Sequence, residues 1–467
     1  MASQAQTLST LADFNGTNGA TPLGLIEGFD GNFYGTTLDG GTESVGTAFK
    51  VTPAGLLTTL HSFAFCPTGC LDGSYPEGRL TQASNGDFYG PTDFGGTSGA
   101  GIIYRITSAG TYAVFYNFCT VSSCSDGASP ISLVQGRDGN LYGTTNGYRL
   151  PPDLGTVFEL TLGGVLTTLH SFSGPDGANP QGVLLQASNG DFYGITTQGG
   201  SSTICGPLGL SGCGTVFQIT PSGTLTTLHI FNGTDGAFAG YGGSLVEGSD
   251  GNLYGTATFG GNAQCASGCG TIFKMSSRGK FTTLYSFCSQ TNCADGANPV
   301  ESLVQGTDGN IYGTTMHGGN SGGGGTIFRL TPQGVLTTLY DFCSLPNCAD
   351  GGDPEAALIQ DTDGNFYGTT TGGYPSNSGT VFRFSMGLGA FVKLVQDAGK
   401  VGQNMGIFGQ GLTGTTSVFV NGTPASFKVL SDTAIRAVVP AGATRGFVTV
   451  DTPSGTLKSN VPFGVIP

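Results

Sequence analysis

The stretch LVQGRDGNLYGTT at residues 133–145, followed by GTVFELT at 155–161 and LTTLHSF at 166–172, is one copy of a pattern that fills most of the chain. The core of the pattern occurs seven times, as DGNFYG at 30–35, NGDFYG at 85–90, DGNLYG at 138–143, NGDFYG at 189–194, DGNLYG at 250–255, DGNIYG at 308–313 and DGNFYG at 363–368. A repeat of about 50 to 60 residues is the length of one supersecondary unit in a repeat protein.

Each repeat predicts four short β-strands, because apolar and polar residues alternate and Thr, Val, Phe and Tyr are frequent. In the third repeat the strands are placed at about 131–135, 140–145, 155–161 and 166–172. The pair Asp138-Gly139 predicts a tight hairpin between the first two strands. No stretch has a helical period, so we expect helices to be nearly absent. Seven four-stranded units predict a seven-bladed β-propeller, with an open solenoid as the alternative.

The order of the strands favours a closed ring. The seventh repeat lacks an LTTLHSF-like strand after residue 385, whereas the related segment LSTLADF occurs at 8–14. A chain that begins with the missing strand of its last blade closes the ring and covers an exposed sheet edge. We therefore predict that residues 8–14 lie alongside residues 379–385.

The composition excludes several classes of protein. The 467 residues include 84 glycines, only 10% are charged, and the formal net charge is −14. Nucleic acids and anionic membrane surfaces are bound through basic patches, so neither is an expected partner. No run of 18 apolar residues occurs, and we expect no membrane insertion. The 37% of hydrophobic residues is enough for a sizeable core.

The tandem unit LVQGxDGNLYGTT…GG…GTVFxLTPxGxLTTLHSF resembles the GloVer (Gloeobacter–Verrucomicrobia) repeat of secreted bacterial proteins, over about residues 1–388. The DGNLY hairpin is also similar, more loosely, to the DGNLW hairpin of propellers of the virginiamycin B lyase type. The first resemblance implies a secreted or surface protein, and neither resemblance assigns chemistry to this chain.

The repeat stops after Phe384, and the last segment predicts a separate domain. Short alternating strands and turns such as Asn421-Gly422 predict a small β-sandwich. Its segments Gly409 to Leu412, Ser431-Asp432-Thr433 and Val439 to Gly442 resemble an IPT/TIG domain. We divide the chain into a propeller at 1–388 and an Ig-like IPT/TIG β-sandwich at 389–467, and the resemblance implies a docking or spacing role for the latter.

The twelve cysteines form six local pairs in loops, which are Cys66/Cys70, Cys119/Cys124, Cys205/Cys213, Cys265/Cys269, Cys288/Cys293 and Cys343/Cys348. We predict six disulfides, and hence an oxidising compartment. Zinc is the alternative, but it needs two pairs to converge on one ion, and the pairs are expected on different blades without a histidine. The N-terminus has neither a basic start nor an apolar stretch, so we interpret the chain as the mature form of a secreted or cell-surface protein.

The strand order separates two faces of the ring. The DGN turns and the short Pro-x-Gly turns lie on one face, which we call the turn face. The links between blades, the loops between second and third strands, and all twelve cysteines lie on the other, which we call the loop face. Long variable loops favour the loop face as the binding surface. The candidate ligand-binding residues there are Asp39, Glu77, Arg79, Asp93, Tyr148, Arg149, Tyr241, Phe259, Glu301, His317 and Glu355.

Residues that recur in every repeat are interpreted as structural. They include the seven tyrosines, the aspartates of the links between blades, and His61, His170 and His229. We expect no cofactor and no metal. The turn Asp361–Asn365 resembles a calcium loop, which is kept as an alternative, but it lacks the bidentate glutamate of such loops.

Two functional hypotheses follow. The first is a secreted or cell-surface binding protein that recognises a glycan or a protein partner through the loop face, since aromatic rings pack on sugars and carboxylates pair with hydroxyls. The second is an extracellular glycoside hydrolase or polysaccharide lyase, with a carboxylate pair such as Glu301 and Glu355, or His317 as base and Arg79 beside a uronate. We assign no catalytic residue and favour the binding protein.

Overall fold

The structure, a computed structural model, describes residues 6–64, 71–120, 124–147, 154–200, 204–205, 210–239, 243–373 and 377–466. Apart from two 3₁₀ turns, Thr291–Cys293 and Pro346–Cys348, the regular elements in these residues are β-strands. The predicted near-absence of helix is therefore confirmed. None of the helical turns in the described part of the chain has the length or hydropathy to span a membrane.

The repeats supply thirty-two strands. In the first three repeats they are β1 (Thr7–Asp13), β2 (Ala20–Glu27), β3 (Phe33–Asp39), β4 (Thr47–Val51), β5 (Leu57–Ser62), β6 (Thr81–Gln82), β7 (Phe88–Thr92), β8 (Ile102–Ile106), β9 (Tyr112–Asn117), β10 (Pro130–Gln135), β11 (Leu141–Thr145), β12 (Thr156–Leu160) and β13 (Leu166–Ser171). In the fourth and fifth they are β14 (Ala178–Pro180), β15 (Leu185–Gln186), β16 (Phe192–Gln198), β17 (Ile204–Cys205), β18 (Leu210–Ser211), β19 (Thr215–Ile219), β20 (Leu225–Ile230), β21 (Ala237–Ala239), β22 (Val246–Glu247), β23 (Asn252–Phe259), β24 (Thr271–Ser276) and β25 (Phe281–Ser286). In the last two they are β26 (Val304–Gln305), β27 (Ile311–Thr315), β28 (Thr326–Leu330), β29 (Leu336–Asp341), β30 (Ile359–Gln360), β31 (Phe366–Thr370) and β32 (Thr380–Ser385).

These strands form seven small antiparallel sheets, one for each repeat, and a separate hairpin of β17 and β18. Within a sheet the strands pair in chain order, as in β10-β11-β12-β13, which matches the four strands predicted for the third repeat. The first strand of each sheet faces the neighbouring sheets, and the fourth strand is half exposed at the outside. This arrangement follows from the alternation of apolar and polar residues along each strand.

The N-terminal strand belongs to the last sheet. Strand β1 pairs antiparallel with β32, with Leu8 opposite Phe384 and Asp13 opposite Thr380. The ring of Phe14, just beyond β1, is fully buried. The predicted pairing of the N-terminal segment with residues 379–385 is confirmed.

Contacts between sheets form a closed cycle. The hydroxyl of Thr36 on the first sheet donates to the carbonyl of Gly78, which leads into the second, over 3.2 Å. At the other end of the chain the hydroxyl of Thr369 on the seventh sheet donates to the carbonyl of Pro22 on the first, over 3.1 Å. Strand β2 also packs against β31. The seven sheets therefore follow one another without a free end.

Aromatic rings join the sheets in the same order. The Tyr34 ring stacks on Phe88 of the next sheet with the ring centroids 4.0 Å apart. The last contact of the cycle brings Tyr367 onto Phe33 of the first sheet, at 4.3 Å. All seven tyrosines of the repeated core are buried.

The glycine after each tyrosine makes room for an aromatic ring of the third strand in its own sheet. A Cβ atom on Gly255 would lie 2.5 Å from the Phe273 ring, which is closer than carbon atoms pack. The equivalent glycines face the equivalent rings in the other repeats. The Tyr-Gly pair is therefore required by packing on both faces of the strand.

The C-terminal segment, residues 392–466, forms two further sheets. Its strands are β33 (Lys393–Leu394), β34 (Ala398–Lys400), β35 (Asn404–Phe408), β36 (Ser417–Val420), β37 (Thr423–Pro424), β38 (Phe427–Ser431), β39 (Ala434–Val438), β40 (Gly446–Thr452) and β41 (Gly455–Ile466). One sheet has the order β33-β35-β39-β38 and the other β34-β41-β40-β36-β37. Side chains of both sheets, such as Ile407 and Val450, form one buried apolar cluster.

The C-terminal segment lies against the turn face of the repeats. The Phe408 ring stacks on Phe29 with the centroids 4.6 Å apart. The guanidinium of Arg137 forms two hydrogen bonds to the carboxylate of Asp397, of 2.9 and 2.7 Å. A bidentate pair of this kind fixes orientation as well as distance. The short turns of this face are thus a docking surface for the end of the chain.

A buried acidic pair lies in the same contact. The ammonium group of Lys393 donates to Glu27 over 2.6 Å, and Gln410 donates to Asp361 over 3.0 Å. Burial raises the pKa of Asp361, and a hydrogen bond shared with Glu27 raises it further. Burial alone would raise the pKa of Glu27 as well, but the charge of Lys393 and hydrogen bonds from Asp361 and Thr362 lower it. Asp361 therefore holds a proton that it shares with ionised Glu27.

Removing residues 1–14 is expected to lower the melting temperature and to cause self-association. The deletion exposes the edge of β32 and removes Phe14 from the core, and a lost buried Phe side chain alone costs about 3–5 kcal/mol. Thermal unfolding and light scattering after size exclusion measure the two effects. A chain without residues 1–5 is the control, and equal behaviour of the two deletions would contradict the role of β1.

Asp361→Asn is expected to be more stable than the wild type above about pH 4, by a margin that grows as the pH rises. In the wild type the folded state keeps a proton that the unfolded state releases near pH 4, so the stability from this group is lost with rising pH. Asparagine donates to Glu27 without titrating. Denaturant unfolding from pH 4 to pH 8 measures the difference in free energy of unfolding between variant and wild type. Glu43→Gln, which changes an exposed glutamate in the same way, is the control. If the stability difference between Asp361→Asn and the wild type did not change with pH, Asp361 would have the same pKa in the folded and unfolded states.

Candidate functional site

A cavity of about 540 Å³ lies on the axis of the seven sheets and opens at the loop face. We call it the upper cavity. It is lined by Leu23, Leu38, Glu77, Gly78, Arg79, Ile131, Ser132, Gln181, Val183, Phe238, Thr258, Phe259, Asn298, Val300, Glu301, Met316, His317 and Glu355. Each of the seven repeats contributes to this wall, because the first strand of every sheet begins beside the axis. The volume is within the range of small-molecule sites in proteins.

Six of the candidate residues meet in the upper cavity, and these are Glu77, Arg79, Phe259, Glu301, His317 and Glu355. Glu77 and Glu355 hold equivalent positions before a first strand, and Glu301 lies one position later in its repeat. Phe259 ends β23 in the fifth repeat, and His317 lies two residues beyond the end of β27 in the sixth. These residues, which break the repeat, line one cavity, and their role as a binding site stays a prediction.

Two candidates lie elsewhere, and three lie outside the described residues. Asp39 accepts a hydrogen bond from the Thr21 hydroxyl over 3.3 Å, and Asp93 is buried beside Tyr75, to whose carbonyl its backbone N–H donates. Neither residue lines the upper cavity. Tyr148, Arg149 and Tyr241 fall in the segments that the structure leaves out.

Arg79 and Glu301 form the charged part of the wall. Protein surrounds both side chains on all sides except the cavity, and burial raises the pKa of Glu301 well above its usual value. The positive charge of Arg79 opposes that rise, whereas the charge of Glu355 adds to it. Among the described residues, the Arg79 guanidinium makes one hydrogen bond, from Nη2 to the carbonyl of Leu25 over 3.4 Å. The cavity thus holds a cation with unused donors and a carboxyl group that favours its protonated form.

His317 and Glu355 form the outer part of the wall. The Nδ1 atom of His317 lies 3.7 Å from a carboxylate oxygen of Asp353. A hydrogen bond to Asp353 raises the pKa of His317, and burial opposes this only in part. Burial, and then the charge of Asp353, raises the pKa of Glu355. The rim therefore carries groups that titrate toward neutral pH.

Apolar side chains complete the cavity. The ring of Phe238 is buried and meets the edge of Phe259, with the centroids 5.8 Å apart. Ile131, Val183 and Val300 add aliphatic surface. A few charged groups on a mostly apolar wall are typical of sites that bind a small organic ligand.

The residues that recur in each repeat have structural contacts. His170 lies 2.7 Å from Asp176, and Tyr285 donates to Asp295 over 2.7 Å at the equivalent place. Asp295 also accepts the backbone N–H of Ser289 over 2.9 Å, so the aspartate holds the link in place. The tyrosines of the repeated core act in the same way, since the Tyr142 hydroxyl donates to Asp138 over 2.8 Å. The structural interpretation of both sets is confirmed for the contacts that the structure describes.

Five of the six predicted disulfides are present, and they are Cys119–Cys124, Cys205–Cys213, Cys265–Cys269, Cys288–Cys293 and Cys343–Cys348. Cys66 and Cys70 lie outside the described residues. One part of the sequence argument is wrong. The pairs Cys265–Cys269 and Cys288–Cys293 are not kept apart, since their four sulfur atoms lie within 4.8 Å of one another. Both loops leave the same end of the fifth sheet, which the assignment of pairs to separate blades overlooked.

A second cavity, of about 360 Å³, lies on the turn-face side of the axis and was not predicted. We call it the lower cavity. Arg79 and Val183 border both cavities, so the two lie end to end. Lys393, Val395 and Phe408 of the C-terminal segment form part of its wall. No sequence signal pointed to this contribution, because the docking residues of the turn face do not repeat.

The turn Asp361–Asn365 is engaged in hydrogen bonds. Gln410 and the backbone N–H of Thr362 donate to Asp361, over 3.0 and 2.7 Å. Asp363 accepts from Asn365 and from the Tyr367 hydroxyl, over 2.7 and 2.8 Å. The carboxylates of this turn are thus used by groups of the protein itself, and the turn lacks the bidentate glutamate of a calcium loop.

Comparison with known proteins identifies the repeat. The family model of the Gloeobacter/Verrucomicrobia repeat matches residues 1–130, 120–306 and 209–423. None of the curated proteins compared with the chain matches it.

Solved structures share the fold at low identity. PorZ, an essential surface component of the type-IX secretion system of Porphyromonas gingivalis, is 15% identical with a TM-score of 0.50, and the match covers 97% of this chain and 60% of PorZ. The extracellular domain of BT4673 from B. thetaiotaomicron is 10% identical with a TM-score of 0.51, over 100% of this chain and 60% of the other. This chain therefore spans less than two thirds of either protein. A gluconolactonase of Xanthomonas campestris is 12% identical with a TM-score of 0.40, over 82% and 90% of the two chains.

Asp353→Asn is expected to lower the pKa of His317 toward about 6.5, the value of an unperturbed histidine. In the wild type the Asp353 carboxylate favours the imidazolium, so His317 titrates above that value. Proton NMR follows the titration easily, because the sequence has only four histidines and His317→Gln identifies the signal. His229, which pairs with Asp235, is the internal control. Equal His317 titrations in wild type and variant would contradict the contact.

Proposed function

We propose that this chain, which belongs to the Gloeobacter/Verrucomicrobia repeat family, is a secreted or cell-surface protein that binds the end of a glycan in the upper cavity. The observation that carries the proposal is the meeting of Arg79, Glu301, Glu355, His317 and Phe259 in one cavity on the axis. These residues break the repeat, so their convergence is not a by-product of the repeated fold.

The proposal includes an architecture. The seven sheets are the blades of a β-propeller over residues 1–388, and the closed cycle of contacts from Thr36 to Pro22 supports this. Residues 389–467 are an Ig-like IPT/TIG β-sandwich, which the two sheets around one apolar cluster support. The second unit holds the propeller by its turn face and leaves the loop face open.

The chemistry of the wall fits a sugar. The ring of Phe259 offers a flat apolar surface for the C–H face of a pyranose ring. Arg79, Glu301 and Glu355 offer donors and acceptors for ring hydroxyl groups. The volume of about 540 Å³ suits one or two sugar rings rather than a folded domain. A protein partner is the alternative, bound across the loop face.

An extracellular location agrees with two observations. Five disulfides in the described residues are typical of oxidising compartments. PorZ, whose fold is similar, is a bacterial surface component, and we extend that location to this chain as part of the proposal.

A glycoside hydrolase or polysaccharide lyase is the second candidate, because one observation favours it. Burial raises the pKa of Glu301, and Glu355 lies near enough for its charge to add to the rise. A protonated carboxyl group next to a second carboxylate is the arrangement that protonates a glycosidic oxygen. In that case Glu301 is the general acid, and Glu355 is the base or nucleophile.

Phe259→Ala is expected to weaken glycan binding about tenfold, since one stacked ring is worth about 1–1.5 kcal/mol. A panel of immobilised polysaccharides selects the glycan, and calorimetry measures its affinity for wild type and variant. Phe94→Ala is the matched control, because Phe94 holds the equivalent position of the second repeat, five residues after the repeated tyrosine, but packs against Tyr75 and does not line the cavity.

The outcomes separate the hypotheses. Binding lost in Phe259→Ala and kept in Phe94→Ala supports the glycan site. Release of reducing ends or unsaturated sugars that Glu301→Gln abolishes identifies an enzyme instead. Equal binding by both phenylalanine variants, or no binding to any polysaccharide of the panel, contradicts the upper cavity as a glycan site.

A further inference from the structure

The four sulfur atoms of Cys265, Cys269, Cys288 and Cys293 lie within 4.8 Å of one another. We call these residues the four-cysteine cluster. Cys269 and Cys288 are fully buried, and the other two are partly buried. In the structure they form two disulfides, Cys265–Cys269 and Cys288–Cys293. Two local disulfides do not need this proximity, so the cluster calls for a separate explanation.

The topology of the fifth sheet brings the two pairs together. Cys265 and Cys269 lie in the loop between β23 and β24, and Cys288 and Cys293 lie in the link that follows β25. Because β24 and β25 are antiparallel neighbours, the start of one and the end of the other lie at the same edge. The side-chain amide of Asn262 joins the two loops by donating to the carbonyl of Cys288 over 2.8 Å. Both pairs are therefore held on one rigid support.

Each half of the cluster also occurs alone. In the sixth repeat, Cys343 and Cys348 correspond to Cys288 and Cys293, the second half of the cluster. They have the same spacing, and the backbone N–H of the first cysteine donates an equivalent hydrogen bond. The loop opposite them has Gly324 where the fifth repeat has Cys269, and a Cβ atom on Gly324 would lie 2.7 Å from the sulfur of Cys343. The fourth repeat has only the first half, Cys205 and Cys213.

The spacing and the distances suit a zinc ion. The pattern is Cys-x₃-Cys, eighteen intervening residues, then Cys-x₄-Cys, and zinc sites use short pairs of this kind separated by about 15–20 residues. In a tetrahedral site with Zn–S bonds of about 2.3 Å, the sulfur atoms are about 3.8 Å apart. Once the bonded sulfurs separate, shifts of about 1 Å are enough to reach that geometry.

We propose that the four-cysteine cluster is a redox-controlled zinc site, which holds two disulfides when oxidised and one Zn²⁺ in a tetrathiolate site when reduced. The proposal is independent of the glycan site, because the cluster is not part of the upper cavity wall. It departs from the expectation that the chain has no metal site, and it follows from residues that sequence reasoning had placed on separate blades.

The chemistry balances with a dithiol as the reductant. Two dithiol molecules give four electrons and four protons to the two disulfides and leave as two cyclic disulfides, so the protein gains four thiols. Zn²⁺ then displaces four protons from these thiols and forms four Zn–S bonds. The bound site has a charge of −2. Two molecules of a small disulfide reverse the sequence: they accept four electrons from the thiolates, take up four protons and leave as four thiols, while the two protein disulfides form again and Zn²⁺ is released.

The test uses the full chain, reduced with a phosphine and then freed of it under argon. Titration with Co²⁺ alone is expected to give the visible and charge-transfer bands of tetrahedral cobalt bound to four thiolates, saturating at one equivalent. Zn²⁺ is expected to displace the cobalt and to raise the melting temperature of the reduced chain. The oxidised chain is expected to give no bands.

Three double variants locate the site. Cys265→Ser with Cys269→Ser, and Cys288→Ser with Cys293→Ser, are expected to lose the tetrathiolate bands and to bind Zn²⁺ at least about a hundredfold more weakly, since each removes two of the four ligands. Cys343→Ser with Cys348→Ser is the matched control and is expected to bind like the wild type.

Two results would overturn the proposal. The first is the absence of tetrathiolate bands in the reduced wild-type chain, whether or not its sheets persist. The second is equal loss of the bands in all three variants, or in none. A chain that keeps only the four cysteines of the cluster, with serine at the other eight positions, must give the bands at one equivalent, and failure to do so also counts against the site.

Discussion

The fold depends on one side chain that is used seven times. The tyrosine of the repeated core binds with its hydroxyl to the aspartate or asparagine four residues earlier, as Tyr254 does with Asp250 at 2.9 Å. Its ring packs on the apolar residue that precedes the tyrosine of the next sheet, as Tyr142 does on Phe192 at 4.2 Å. One residue therefore closes a turn, fills a core and sets the position of the neighbouring sheet. The seventh copy makes the same contact with the first sheet, where Tyr367 packs on Phe33.

Much of the fold could be predicted because its determinants are local and repeated. The alternation of apolar and polar residues and the Asp-Gly turns predicted the strands and their order. The N-terminal segment 8–14 predicted the pairing that joins the start of the chain to the last sheet. The docking of the C-terminal segment could not be predicted in this way. It depends on single residues such as Phe29, Arg137 and Asp397, which come together only after both parts have folded. The proximity of the two cysteine pairs was missed for a similar reason, since it follows from the pairing of β24 with β25 rather than from spacing along the chain.

The candidate site was partly predictable. Departures from the repeat at the entry to first strands, such as Glu77, Glu301 and Glu355, mark the axis because those strands surround it. Asp39 lies five residues after the repeated tyrosine, the same position as Phe259 and His317, yet its carboxylate accepts a hydrogen bond from Thr21 and does not line the cavity. Position within the repeat therefore does not by itself decide which side chains reach the axis. The burial that shifts the pKa of Glu301 has no sequence signal, because it needs the walls of all seven sheets.

The contact between the C-terminal segment and the turn face has a consequence for how the two cavities influence each other. Lys393, Val395 and Phe408 line the lower cavity together with Arg79, and Arg79 also lines the upper cavity. One guanidinium is thus shared by both walls. A ligand that draws the Arg79 side chain toward the upper cavity would change the wall that the C-terminal segment touches, so binding in one cavity alters the surroundings of the other.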